Sequence, residues 1–131
     1  LFDTNNNSVP FRDIPMSGTN HLVEINKKIT PNLKTIKVRA AKADTLIKKL
    51  NLPYPNFIKI DVEGFELDVL KGMKKILKQN TLREIFLEIH FALLKKRKLK
   101  KPIFSICKIL KDNNFSISWI GPSNIRAFRK F

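Results

Sequence analysis

Residues 56–72, Asn-Phe-Ile-Lys-Ile-Asp-Val-Glu-Gly-Phe-Glu-Leu-Asp-Val-Leu-Lys-Gly, constrain the fold more than any other stretch of the chain. A short run of bulky and β-branched residues, Phe57 to Ile60, reads as a strand buried on both faces. It stops at Asp61, and Glu63, Gly64 and Glu66 follow before the spacing becomes helical. From Glu66 to Lys78 the apolar residues Val69, Leu70, Met73, Ile76 and Leu77 recur with a period near 3.6, and lysines occupy the other sides. The unit is strand, tight turn, amphipathic helix. It repeats as "EIFLEIH" (84–90) and a helix opening at "IFSICKIL" (103–110). Alternating strands and helices predict parallel pairing of the two strands.

The flanks complete this plan. "LKTIKVRA" (33–40) alternates like a half-exposed strand, and "ADTLIKKLNL" (43–52) reads as a short helix with Asp44 as N-cap and Leu46, Ile47 and Leu50 on one face. "FSISWI", the turn "GPSN" and "IRAFRK" predict an antiparallel hairpin over 115–130. Residues 1–32, rich in Asn, Ser, Thr and Pro, read as an irregular segment with at most a hairpin or edge strand. The expected fold is α/β, a mostly parallel sheet with a C-terminal antiparallel hairpin at one edge and helices on both faces.

Composition narrows the function classes. A chain of 131 residues with 43% hydrophobic residues builds one core. Cys107, the single cysteine, sits at helical spacing and reads as core packing in a reducing compartment, so the expected location is cytoplasmic. No apolar run reaches the roughly 18 residues of a membrane span. The net charge of +15 invites a nucleic-acid partner, but the lysines are scattered, and neither interleaved aromatics nor a zinc-ligand spacing occurs, so no nucleic acid is expected. Only "KKRKLKK" (95–101) concentrates the charge.

Ligands of open α/β sheets bind beyond the carboxyl ends of the strands, and the two central strands end in "DVEG" and "EIH". Asp61, Glu63, Glu88 and His90 are therefore expected to converge in one cleft. Alternation along a strand lets Asp61 with Glu63, and Glu88 with His90, point the same way. Gly64 provides the tight turn or a close approach to a ligand. Glu66 has a simpler explanation, since a carboxylate in a first helical turn is favoured by about 0.3 to 1 kcal/mol through the helix dipole. Lys59 is expected to reach a sheet edge or to pair with an acid.

"FIKIDVEGFELDVLKG", followed after a helix by "IFLEIH", resembles the FkbM-type S-adenosylmethionine-dependent methyltransferases, whose signature runs Ile-Lys-Ile-Asp-Val-Glu-Gly, one variable residue, Glu, then Leu-x-Gly. "IKVRAAKADTLI" and the closing "IRAFRK" are similar to the family's flanking elements, so the likeness spans about residues 33–130. The resemblance implies a Rossmann-like sheet, S-adenosylmethionine as cofactor, and methyl transfer to a hydroxyl of a small molecule or glycan. It implies catalytic roles for Asp61, nearest cofactor and acceptor, for Glu63, which orients the acceptor, and for His90 as base, with Asp61 and Gly64 on the cofactor side. No dedicated metal site is implied, although the pair Asp61 and Glu63 can alternatively hold a divalent ion that activates the hydroxyl.

The family's glycine-rich loop has no counterpart here. The glycines are Gly18, Gly64, Gly72 and Gly121, with no Gly-x-Gly. Residues 33–131 are therefore expected to be the C-terminal part of the domain, without its N-terminal strands, and the 131-residue chain to bind S-adenosylmethionine weakly at most. Two readings from other classes stand beside an enzyme: a non-catalytic remnant, and an anion-binding module using residues 95–101. If the basic run serves binding, its acceptor is anionic.

Overall fold

The computed structural model describes residues 6–12 and 35–130. A two-stranded antiparallel ladder joins β1 (Asn6–Arg12) to β2 (Thr35–Ala40), with Val9 opposite Val38 and Phe11 opposite Ile36. The rest of the expected irregular segment 1–32 lies outside the described residues. Next come α1 (Ala43–Leu50), β3 (Phe57–Ile60), α2 (Glu66–Lys71), a 3-10 turn (Ile76–Lys78), β4 (Glu84–Glu88), α3 (Phe91–Lys96), α4 (Pro102–Asp112), β5 (Ser116–Trp119) and β6 (Asn124–Phe128).

Strands β3 to β6 form one sheet in the order β3-β4-β6-β5. β3 and β4 are parallel neighbours, with Ile58 beside Ile85 and Ile60 beside Leu87, as a helical crossover demands. β6 runs antiparallel to both β4 and β5. The mostly parallel sheet expected from sequence is therefore corrected to a mixed one: β3, β4 and β5 share a direction, and β6 is inserted against them. The hairpin does not simply close an edge. Its second strand goes inside because Ile125 and Ala127 are fully buried, whereas β5 carries two serines and the exposed Trp119 and suits the edge.

β3 is also corrected. It is an edge strand among the described residues, with Phe57 54% exposed and Ile60 buried, so only one of its faces is covered. That face continues through Leu87 and Ile125 to Trp119 by register. α2 and α4 pack against each other, and their Leu70, Ile106 and Leu110 join Ile60, Ile85, Leu87 and Ile125 in one core. The opposite face bears Phe57, Lys59, Glu84, Phe86 and Arg126, all exposed or half-buried, where helices were expected. Cys107 packs half-buried beside the core as a free thiol. No helix among the described residues is long and apolar enough to cross a membrane.

The apolar stripe of residues 69–77 is buried as its spacing predicts, yet one continuous helix does not carry it. α2 stops at Lys71, and the chain resumes as a 3-10 turn at Ile76. Asp44 explains the break. It is not the N-cap of α1, a position held by Lys42, whose side chain does not cap the helix. Its carboxylate instead accepts the backbone N–H groups of Lys75 (2.9 Å) and Ile76 (3.0 Å), capping the turn from across the fold. Replacing Asp44 with Ala should cost about 1 kcal/mol, the usual worth of such a cap, read as a lower urea midpoint with an unchanged slope.

Candidate functional site

The site begins where β3 ends. After Ile60 the chain reverses through Asp61, Val62, Glu63 and Gly64, closed by a bond from the Phe65 N–H to the Val62 carbonyl (3.2 Å). Glu63 has φ +49° and Gly64 φ +91°, two successive positive values. A left-handed glutamate costs roughly 1 to 2 kcal/mol, and such strain persists only where surroundings enforce it. They do so here. The Gly64 N–H donates to Glu66 Oε1 (2.9 Å), and its carbonyl accepts Arg97 Nη1 (2.7 Å). A Cβ at Gly64 would stand 2.7 Å from the Leu93 Cβ, so the close approach that requires glycine is to α3.

The second arm is His90, two residues past the end of β4 and the N-cap of α3. Its Nδ1 lies 2.7 Å from Glu66 Oε1, and its Nε2 lies 3.5 Å from Glu63 Oε1 and 3.7 Å from Asp61 Oδ1. A carboxylate oxygen only accepts, so Glu66 assigns a proton to Nδ1 and turns Nε2 toward Asp61 and Glu63. Burial opposes a charge on the ring most strongly. The hydrogen bond to Glu66 and the charges of Glu63, Glu66 and Asp61 nonetheless outweigh it, and the His90 pKa is raised above the ordinary histidine value.

Asp61, Glu63 and His90 thus come together as the strand ends predict. The Asp61 side chain remains 39% exposed and the Glu63 side chain 24%, so both reach solvent at this rim. Asp61 divides its oxygens, Oδ1 toward His90 and Oδ2 toward Lys59 Nζ (3.1 Å). Glu88 lies half-buried opposite Asn124, outside the group of ligand atoms that Asp61, Glu63 and His90 bring within 4.8 Å of one another. A cavity of about 500 Å³ lies elsewhere, lined by Lys42, Asp44, Lys48, Lys49 and Lys75.

Two members of the site escape sequence reasoning. Glu66 has no exposed surface, and its bonds to Gly64 and His90 give it more to do than face a helix dipole. Arg97, hidden in the basic run, turns inward: it bonds Gly64 and Asp68 Oδ2 (2.5 Å) and stacks 4.0 Å over the Phe65 ring. It ties α3 to the strained turn, while Lys95, Lys96, Lys98, Lys100 and Lys101 remain exposed. The readable signals were the three-residue spacing of Glu63 and Glu66 and the seven-residue spacing of His90 and Arg97, two turns along a helix. Beside His90, the rings of Phe91 and Trp119 stack with centroids 6.2 Å apart, both partly exposed at the same end of the sheet.

The chain matches the Methyltransferase FkbM domain over residues 4–117, beginning inside the stretch that reads as irregular from sequence. It is similar to the hexuronic acid methyltransferase AglP of Haloferax volcanii, 34% identical over 88 residues that cover 61% of this chain and 35% of that protein. The chain therefore spans about a third of the length of this curated relative. No solved structure matches it.

Proposed function

We propose a function from one premise: the chain belongs to the FkbM family of methyltransferases. Its reaction is transfer of a methyl group from S-adenosylmethionine to a hydroxyl oxygen of a sugar-type acceptor. The observation that carries this reading is the rim of Asp61, Glu63 and His90 at the carboxyl ends of two parallel strands, where α/β sheets take their ligands. The rim is acidic in a basic chain. Asp61, Glu63, Glu66 and Asp68 are four of the chain's 11 acidic residues, gathered within eight positions.

When bound, S-adenosylmethionine supplies a methyl group made electrophilic by the sulfonium. Asp61 is the residue that faces it, and Gly64 bends the chain toward it, its own free side filled by Leu93. The acceptor hydroxyl must pass its proton to a base, here Nε2 of the neutral His90 ring, and be held in line with the methyl group, for which positioning alone is worth several kcal/mol. Glu63, fixed by its left-handed backbone, and His90, fixed by Glu66, are the groups that hold the hydroxyl. Phe91 and Trp119 offer an apolar wall beside it. The free thiol of Cys107 suits a cytoplasmic setting.

The name of the relative favours a hexuronic acid as acceptor, and the exposed lysines in the last turn of α3 and just after it suit its charge. Replacing Lys95, Lys96, Lys98 and Lys100 with Gln should raise the KM for a uronic acid about 3- to 10-fold at low salt and little at high salt, because the field is screened. The KM for a neutral hexose should not change. The reaction itself is tested by incubating the full-length protein with methyl-labelled S-adenosylmethionine and glycosides of glucuronate, glucose and N-acetylglucosamine. Label in an ether supports the proposal, with loss expected in Asp61→Asn. Label only in a carboxyl ester, or none in any acceptor, overturns it.

A further inference from the structure

We infer that Asp61 Oδ1, Glu63 Oε1 and His90 Nε2 form a binding site for a divalent cation of the Mn²⁺, Zn²⁺ or Mg²⁺ type, with Glu66 as the residue that positions the imidazole. The three atoms lie within 4.8 Å of one another, His90 Nε2 standing 3.5 Å and 3.7 Å from the two oxygens. Ligands about 2.0 to 2.2 Å from a common ion lie roughly 3 to 4.3 Å apart, so modest side-chain rotation closes the set. One imidazole with two carboxylates is a donor set that takes borderline and hard divalent ions.

The surroundings are those of a ligand site more than of a surface ion pair. A metal-binding histidine characteristically donates its second ring N–H to a carboxylate, which fixes the tautomer and strengthens the ligand. His90 meets this condition through Nδ1 and Glu66 Oε1 at 2.7 Å. The independent sign is Glu66 itself. It is fully buried, and its Oε2 has no hydrogen-bond partner among the described residues. A buried carboxylate with one oxygen unpaired is costly, and a divalent ion on the other nitrogen of the imidazole it bonds would stabilise its charge.

The cation also resolves a conflict, in which respect the inference rests on the function proposed above. An anionic acceptor is repelled by Asp61 and Glu63. A divalent ion between them would neutralise the two carboxylates and offer open positions to the acceptor's carboxylate and a neighbouring hydroxyl.

The test measures binding of Mn²⁺ alone, as loss of the free-ion paramagnetic resonance signal, with the full chain and no cofactor or acceptor. Saturable uptake of one ion is expected. Asp61→Asn and Glu63→Gln, both isosteric and partly exposed, should each weaken it at least about tenfold, and Glu66→Gln by about 10- to 100-fold because the imidazole loses the carboxylate that orients it. Asp112→Asn, on the far helix, should leave it unchanged. No uptake at millimolar Mn²⁺ or Zn²⁺, or equal uptake by the Asp61→Asn protein, would overturn the site. Because no methyl transfer is read, failure here leaves the proposed reaction standing, and failure of the reaction leaves the site standing.

Discussion

Gly64→Ala is expected to destabilise the fold by roughly 2 to 5 kcal/mol, the sum of a left-handed alanine and an overpacked contact. The Cβ would meet the Leu93 Cβ at 2.7 Å, and that atom sits directly on the backbone of α3, so it cannot swing aside. Relief requires either separating α3 from the turn or unwinding the φ of +91°. Both routes strain the Arg97 bond to the Gly64 carbonyl and the Gly64 N–H bond to Glu66. Gly121→Ala is the matched comparison. Its Cβ would meet only the side-chain amide of Asn124, at 3.3 Å, which can rotate away. Urea unfolding should therefore separate the two variants by several kcal/mol, and similar midpoints would show that the turn tolerates a side chain and is not held as described. Because the turn presents Glu63 to His90, Gly64→Ala should also lose activity under conditions where it remains folded.

The same turn shows how far the sequence could be read. The switch of period between Ile60 and Glu66 gave strand, turn and helix, and the repeat at residue 84 gave the parallel partner, because period and face are local properties. Two parallel neighbours must end on the same side, so Asp61, Glu63 and His90 met as expected. What escaped was long in range. Glu66 reaches His90 across 24 positions, Arg97 reaches Asp68 across 29, and Asp44 caps a turn 31 positions away. Nothing local distinguishes a glutamate that favours a helix dipole from one buried against an imidazole, or one arginine among lysines that turns inward. The place of β6 was hidden for a similar reason. A hairpin turn fixes that β5 and β6 pair, but which of them then lies beside β4 depends on the burial of Ile125 and Ala127 in the core that Ile60, Leu70 and Ile85 also enter, far back in the chain.

Glu66 carries the second large effect. Glu66→Ala removes the acceptor of both the Gly64 N–H and the His90 Nδ1–H and leaves a cavity, so a loss of about 3 to 5 kcal/mol is expected, as for breaking a buried ion pair. Glu66→Gln is the more informative change. Its amide oxygen can keep both hydrogen bonds, but the negative charge is gone and a buried NH2 group replaces Oε2. Glu66 is among the causes that raise the His90 pKa, so in chelator-treated protein the His90 ring resonances, one of only two histidine sets, should titrate at lower pH in the variant. The sign for stability follows. A histidine whose pKa is raised on folding contributes stability that is fully present below its unfolded pKa and is lost as pH rises through the folded one. The stability gap between the native protein and Glu66→Gln should therefore be widest between the carboxylate and ordinary histidine ranges. It should narrow to a constant offset, the cost of the buried NH2 group, above the raised value. A gap that does not vary with pH would mean that Glu66 only fills space and bonds the Gly64 turn. A gap that narrows in this window would establish that it holds charge on the imidazole at the centre of the rim.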